Sequence, residues 1–170
     1  MEGVASTEVG FSASDFRKTL GAFATGVTVI TTRGTGQDYG MTATAFSSVS
    51  LDPPLVLICV KVDAEGAQHI PDNACFAVNI LSVKQEPISN YFASKDRPRG
   101  RDAFGEIPHR EVATGSPIID DVAAFVDCRL VATHEAGDHL IFIGEVAALG
   151  YDTEVEPLLF HGGRYRRPTD

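Results

Sequence analysis

Cysteine is scarce: Cys59, Cys75 and Cys128 are the only three, far apart and without a CxxC pair. An odd number with no compact framework excludes a disulfide-stapled scaffold and points to a reducing compartment. Cys59 and Cys75 fall in apolar, strand-like runs, where cysteine acts as a small hydrophobe. Long hydrophobic runs are missing as well; none approaches the ~20 residues that a helix needs to cross a bilayer. The N-terminus lacks the basic-plus-apolar pattern of a signal segment, so a cytoplasmic protein without membrane contact is expected. Basic residues are outnumbered, 14 Lys and Arg against 23 Asp and Glu, for a formal net charge of −9. That balance excludes a general nucleic-acid or anionic-membrane binder, whose targets reward the opposite sign. It leaves room for a local basic site that takes a small anion.

The common catalytic and nucleotide signatures are also absent. No GxGxxG follows a first strand and no GxxxxGK[ST] occurs, so a nucleotide would need another mode of binding. No HExxH or Cys/His cluster gives a reason to expect a metal: His69, His109 and His161 lie in unrelated segments, and a predicted turn separates His134 from His139. No GxSxG elbow singles out a nucleophilic serine. Repeats, linkers and low-complexity tracts are missing too. The 170 residues are most simply one domain over 13–170, preceded by a loose polar arm over 1–12.

What is present is a succession of strands with a few helices inserted. Ser14 precedes an amphipathic helix carrying Phe16, Leu20 and Phe23 at helical spacing. Residues 27–32 are rich in β-branched side chains, and a glycine-containing turn over 33–38 returns the chain as an antiparallel partner. That partner opens Gly40-Met41-Thr42-Ala43-Thr44-Ala45, in which Met41, Ala43 and Ala45 alternate with Thr42 and Thr44, so both threonines share one face. A hydroxyl-rich bend holds Ser47, Ser48 and Ser50. After Pro53-Pro54, the apolar run 55–60 predicts a strand covered on both faces. Residues 64–70 predict a short helix ending before Pro71, and 75–81 a strand with the polar Asn79 near its end. Ser82-Val83-Lys84-Gln85 matches a capping box for the next helix, in which Pro87 conflicts with a regular start. Residues 95–101 form a basic loop. Segment 104–116 is irregular, and two long strands flank the turn dipeptide Gly137-Asp138. Short turns between strands favour a β-barrel or sandwich over a doubly wound sheet.

Small hydroxyl side chains and accessible backbone in 42–48 suit a planar polar ring or a phosphate. Serine and threonine are equally ordinary turn and strand residues. His139 stands at the lip of a strand, where imidazole can donate a hydrogen bond, stack on a ring or move a proton. The loop 95–101 and the tail arginines Arg164, Arg166 and Arg167 have the chemistry to bind phosphate or pyrophosphate. Asn79 and Gln85 suit the polar edge of a ring-shaped ligand, or else a strand end and a helix cap.

Taken in order, these segments resemble the short-chain flavin reductases, the small reductase components of two-component flavin monooxygenases. The resemblance rests on Phe16-Arg17 through Ala24-Thr25-Gly26-Val27-Thr28-Val29-Ile30-Thr31-Thr32; on Gly40-Met41-Thr42-Ala43 with the run from Phe46 to Val56; and on Phe76 to Leu81. It continues with Lys95-Asp96-Arg97, Phe104, Gly137-Asp138-His139, Gly144-Glu145-Val146, the run Pro157 to Phe160, and Gly163-Arg164-Tyr165. It implies a mainly β fold with inserted helices, an FMN-binding split β-barrel of Greek-key type, working as a homodimer. It also implies NADH- or NADPH-dependent reduction of FMN or FAD, with the reduced flavin passed to a separate flavin-dependent oxygenase. Thr42, Ala43 and Thr44 would contact the flavin ring, and Ser47, Ser48, Cys59 and Val60 would line the site. Asn79, Ile80, Leu81 and Gln85 would lie around the flavin side chain, and His139 would face the nicotinamide. The competing readings are a non-catalytic flavin- or haem-binding barrel and an oxidase of the pyridoxamine-phosphate type.

Overall fold

Ser12 sets the start of the first helix. In the computed structural model, which describes residues 10–168, it forms a capping box with Asp15, accepting the Asp15 backbone N–H at 3.1 Å. Two orphan N–H groups are thereby satisfied at once. The helix α1 (Ala13–Gly21) therefore begins ahead of Ser14, the start expected from the sequence. None of its residues is buried, and Phe16 and Leu20 are exposed. Of the arm expected over 1–12, residues 1–9 lie outside the described residues.

The strands follow as β1 (Thr25–Gly26), β2 (Thr28–Thr32), β3 (Tyr39–Ala43), β4 (Phe46–Leu51) and β5 (Pro54–Lys61). Next come α2 (Gly66–Asn73), β6 (Cys75–Ile80), α3 (Glu86–Ala93) and a 3-10 turn (Gly100–Phe104). The remainder is β7 (His109–Arg110), β8 (Ile118–Ile119), β9 (Ala124–Ala136), β10 (His139–Tyr151), β11 (Leu159–His161) and β12 (Arg164–Arg166). The fold is mainly β, with three α-helices among the described residues. Seven strands form one antiparallel sheet in the order β3-β2-β6-β9-β10-β5-β4.

That order places β3 and β4 at opposite edges, although only Thr44 and Ala45 join them. Three Cα steps span at most about 11 Å. A flat sheet with six strand spacings would hold its edges nearly 30 Å apart, at ~4.8 Å each. The sheet must therefore curl until its edges nearly meet. The edges do not pair with each other, so the curl stays open along a seam at Thr44–Ala45.

Two apolar clusters fill the two sides of this curl. Ile30, Ile58, Phe76, Val78 and Phe142 pack in one. Val29, Leu81, Phe92, Phe104 and Leu158 pack in the other, beneath α3 and the 3-10 turn. Strand β2 divides the clusters and is buried at every residue. β5 differs from the expectation of cover on both faces: Val56, Ile58 and Val60 are buried, whereas Leu55, Leu57 and Cys59 are half-buried. Gly40 permits close packing beside the site, since a Cβ there would meet the Phe92 ring at 2.6 Å.

Three further local expectations are revised. Residues 46–51, expected as a bend, form the strand β4, because pairing with β5 outweighs the weak alternation of the serines. Helix α2 continues through Pro71, closed by the Ala74 N–H on the Pro71 carbonyl at 3.1 Å. Gln85 does reach back to the Ser82 N–H at 3.0 Å, but α3 begins only at Glu86. The half-formed box caps a turn ahead of Pro87, which takes a first-turn position where its missing N–H costs nothing. The two hairpins, β2–β3 and β9–β10, form as expected, with Gly137 at φ +64° in the second turn.

Candidate functional site

A cavity of about 740 Å³ opens beside the seam. One wall is the edge strand β3 and its continuation through Thr44 and Ala45; the facing wall is the C-terminal end of β5 with His139. The end of α3 and residues 95–100 complete it. An edge strand leaves alternate backbone N–H and C=O groups without a ladder partner, so this wall offers donors and acceptors as well as small side chains.

Cross-strand register explains the facing wall. Lys61 pairs with His139 and Cys59 with Ile141, and directly opposed residues share a face. Because Val56, Ile58 and Val60 point into the core, Cys59 and Lys61 point the other way, with His139. His139 is itself oriented: its Nδ1 lies 2.7 Å from the Asp138 carboxylate. A carboxylate only accepts, so Nδ1 carries the hydrogen and Nε2 presents a lone pair in the neutral ring. The hydrogen bond from His139, aided by the nearby Lys61 charge, holds the Asp138 carboxyl below its usual range.

Thr42 is tied down. Its hydroxyl donates to the Ser89 carbonyl at 2.6 Å, fastening β3 to α3. The Ser89 hydroxyl lies 2.8 Å from the Tyr165 hydroxyl, which donates to Asn90 at 3.1 Å. The Ala43 carbonyl accepts the Thr28 hydroxyl at 2.7 Å. Thr44 and Ala45, by contrast, are exposed. A second recess of about 240 Å³, with Val27, Phe160 and Tyr165 in its walls, lies against the same Thr42–Thr44 segment.

The basic loop closes the cavity from α3. Arg97 donates to the carbonyls of Ser94 and Gly40 and lies over the rings of Tyr39 and Phe92 at 5.5 and 5.8 Å. Arg99 pairs with Glu65 at 2.8 Å. Deeper in, Arg33 pairs with Asp38 at 2.7 Å and Glu111 at 2.6 Å. Burial works against the Arg33 charge, but these two carboxylates outweigh it and raise its pKa.

Of the residues expected at the site, the cavity brings together Thr42, Ala43, Thr44, Cys59 and His139. Ser47 and Ser48 are exposed on β4, the opposite edge of the sheet. Val60 is buried in the core. The Asn79 amide donates to the Val29 carbonyl at 3.0 Å and the Thr31 hydroxyl at 3.1 Å, and accepts the Ile119 N–H at 2.8 Å. The Ile80 carbonyl accepts the Ala123 N–H, and the Leu81 carbonyl accepts the Leu158 N–H. Gln85 donates to the Asp120 carbonyl at 2.7 Å. Sequence reasoning passed over Lys61, Tyr39 and Phe92. Only Lys61 left a signal, as the first charge after the apolar run 55–60.

The chain belongs to the family of flavin reductase like domains, whose model matches residues 20–169. The resemblance drawn from the ordered motifs names this same family. Over 152 residues it is 43% identical to the NADH-dependent FAD reductase of Streptomyces globisporus, covering 89% of this chain and 83% of that one. It is 39% identical to the reductase subunit HsaB of a flavin-dependent monooxygenase from Rhodococcus jostii, covering 88% of this chain and 75% of that one. Among solved structures, the Streptomyces globisporus NADH:FAD oxidoreductase superposes with a TM-score of 0.88 at 39% identity, covering 99% of this chain and 100% of that one. That oxidoreductase has also been solved in complex with NAD and FAD fragments, and there the TM-score is 0.84, with 92% of each chain covered.

Proposed function

We propose that this protein is an NAD(P)H:flavin oxidoreductase that reduces FMN or FAD and supplies the reduced flavin to a separate flavin-dependent oxygenase. The observation that carries this reading is the cavity between the β3 edge and His139, in a chain of the flavin reductase family. Its volume lies within the ~300–1,000 Å³ of small-molecule sites. The donor set fits a planar ring with a polar rim: edge-strand backbone, small side chains and one oriented imidazole. NADH and FAD are the first pair to try, because the similar Streptomyces enzyme is named for both.

When bound, the nicotinamide supplies hydride from C4 and the flavin accepts it at N5. The protein's part is to align the rings and to meet negative charge that develops at the ring edge. Backbone N–H groups of the seam and the Thr44 hydroxyl are the donors available for that task. The Thr42 hydroxyl is not, because its hydrogen is committed to Ser89. His139, with Nδ1 fixed by Asp138, offers Nε2 as acceptor to a carboxamide N–H and so positions the nicotinamide. It acts as a positioning residue, and the reaction needs no side-chain nucleophile.

The curled, open sheet is read here as a split β-barrel of Greek-key type, forming one domain over 13–170 of a cytoplasmic homodimer. The uncovered β4 edge supports the second copy: Leu51 is 94% exposed and Val49 48%. Long apolar edges are otherwise liabilities. A copy against this edge would place Ser47 and Ser48 at an interface beside the flavin site. Asn79, Ile80, Leu81 and Gln85 act in this reading by holding the frame on which the flavin side chain rests.

The test is anaerobic mixing of the purified chain with NADH or NADPH and with FMN or FAD. Loss of flavin absorbance near ~450 nm reports hydride transfer. Folded protein that binds flavin but bleaches it with neither donor would be a binding module, and the proposal would fail.

A further inference from the structure

Strand β3 has a ladder partner on one side only, and that partner is β2. Past Ala43 even this ladder stops, because the register ends at the Thr28–Ala43 pair. Side chains hold the cavity wall from there. The Thr28 hydroxyl pins the Ala43 carbonyl from β2 at 2.7 Å, and the Ser89 carbonyl of α3 holds the Thr42 hydroxyl at 2.6 Å. The second pin is only as firm as α3, a helix of eight residues, a length that is marginal on its own. Phe92 seats that helix in the core, and Tyr165 fixes the turn that carries Ser89. The single hydroxyl hydrogen of Tyr165 goes to Asn90 at 3.1 Å, so the buried Ser89 hydroxyl, 2.8 Å away, must donate to Tyr165. Two consecutive residues of α3 are thus bonded to one phenol on β12, whose ring packs edge-on against Phe160 at 5.5 Å. Tyr165 lines the second recess and not the main cavity, so its influence on the main cavity passes through α3.

We propose that Tyr165 is a positioning residue for flavin reduction: by fixing Ser89 and Asn90 it sets where Thr42 to Thr44 stand against the flavin ring. This deepens the flavin reductase reading and rests on it for the ligand. The phenol stays behind the wall, and its effect runs through Thr42. The competing role is structural alone, a contact with Phe160 that fastens the C-terminal hairpin β11–β12.

Tyr165→Phe keeps the ring on Phe160 and removes only the hydroxyl. Two measurements on the full chain separate the roles. Without ligand, exchange of the amide hydrogens of Met41, Thr42 and Ala43 should quicken about fivefold, the worth of one hydrogen bond, while those of β11 and β12 hold their rates. With saturating FAD and NADH under anaerobic conditions, single-turnover bleaching of the flavin should slow about tenfold, because small misplacements of the reacting rings are costly. In a Thr42→Val background the second pin is already gone, so Tyr165→Phe should slow bleaching no further. Ser89→Ala removes the same hydrogen bond from the other side and should reproduce both effects, which keeps the test open if Tyr165→Phe folds poorly. The inference is overturned if exchange quickens in the hairpin and not in β3, or in neither. It is equally overturned if saturated bleaching keeps the parent rate, or if Tyr165→Phe slows Thr42→Val as much as it slows the parent. A parent protein that bleaches no flavin with NADH or NADPH would instead sink the reductase reading, and the exchange rates would decide the coupling on their own.

Discussion

The polar residues around Asn79 and those around Thr44 belong to one sheet but are used in opposite ways. Asn79, Thr31, Ser116 and Asp127 are wholly buried, and among the described residues no buried side-chain nitrogen or oxygen lacks a partner. The Asp127 carboxylate alone accepts the N–H groups of Ala113 and Thr114 at 2.8 and 2.9 Å, together with the Thr114 hydroxyl. Asn79 and Thr31 fasten the segment from Pro117 to Ile119 across β2. Around Thr44, the edge-strand backbone, Lys61 and the Nε2 of His139 face a cavity instead. Hydrogen-bonding capacity met from within gives rigidity, while capacity left open on a rigid frame gives a site.

The sharpest way to break the first region is Asp127→Ala. Three donors on Ala113 and Thr114 lose their buried acceptor, and the expected destabilisation is about 2–4 kcal/mol, read as a lower midpoint in urea. Burial, reinforced by the Asp127 charge, also pushes the Cys128 thiol up to about 12. Asn79→Ala is expected to cost about 2–3 kcal/mol by the same mechanism. Flavin affinity lost without any loss of stability would move Asn79 from the frame to the site. Gly40→Ala probes the boundary between the two regions, since the new methyl must displace Phe92. Overpacking of that kind costs about 1–3 kcal/mol. It should also loosen the Thr42–Ser89 contact, seen as faster exchange of amides at the start of α3.

His139→Ala addresses the open region directly. Stability should hold, while the nicotinamide KM rises about five- to tenfold, the worth of one hydrogen bond. An unchanged KM would remove His139 from nicotinamide positioning. The smallest effect is electrostatic and belongs to Asp138, whose pKa is depressed in the folded protein mainly by the hydrogen bond from His139. A depressed carboxylate favours the folded state above its unfolded pKa of about 4, and that contribution fades as the pH falls through the lower folded value. In His139→Ala the Asp138 carboxyl should titrate closer to the ordinary range, followed by its carbon NMR shift.

Local pattern carried the hairpins well. The β-branched run 28–32 and the Gly137-Asp138 turn owe their structure to nearby residues, and both were legible. The strand β4 was not, because Ser47, Ser48 and Ser50 have little strand preference of their own and are held by β5. The cap at Ser82–Gln85 was legible in part: Gln85 does reach the Ser82 N–H, and Pro87, which conflicted with a regular start, stands in the first turn of a helix that begins only at Glu86. At the site, Thr42 to Thr44 and His139 stood out by residue type and position. Tyr39 and Phe92 did not, since their meaning depends on packing between segments distant in the chain, and Lys61 was marked only as the first charge after an apolar strand. Arg97 was legible as a basic loop residue, but its bracing by two rings was not.

The two-residue join at Thr44–Ala45 also governs how the fold is assembled. Neighbours in the chain become the outermost strands of the sheet, so β3 and β4 have no ladder to share once they are made. Each is held instead by a sequence neighbour, β3 by β2 and β4 by β5, so the seam brings the outer strands of two local hairpins together. A spacer of several glycines inserted after Thr44 would relax the curl, widening the mouth of the cavity while leaving the pairs of β2–β3 and β4–β5 intact.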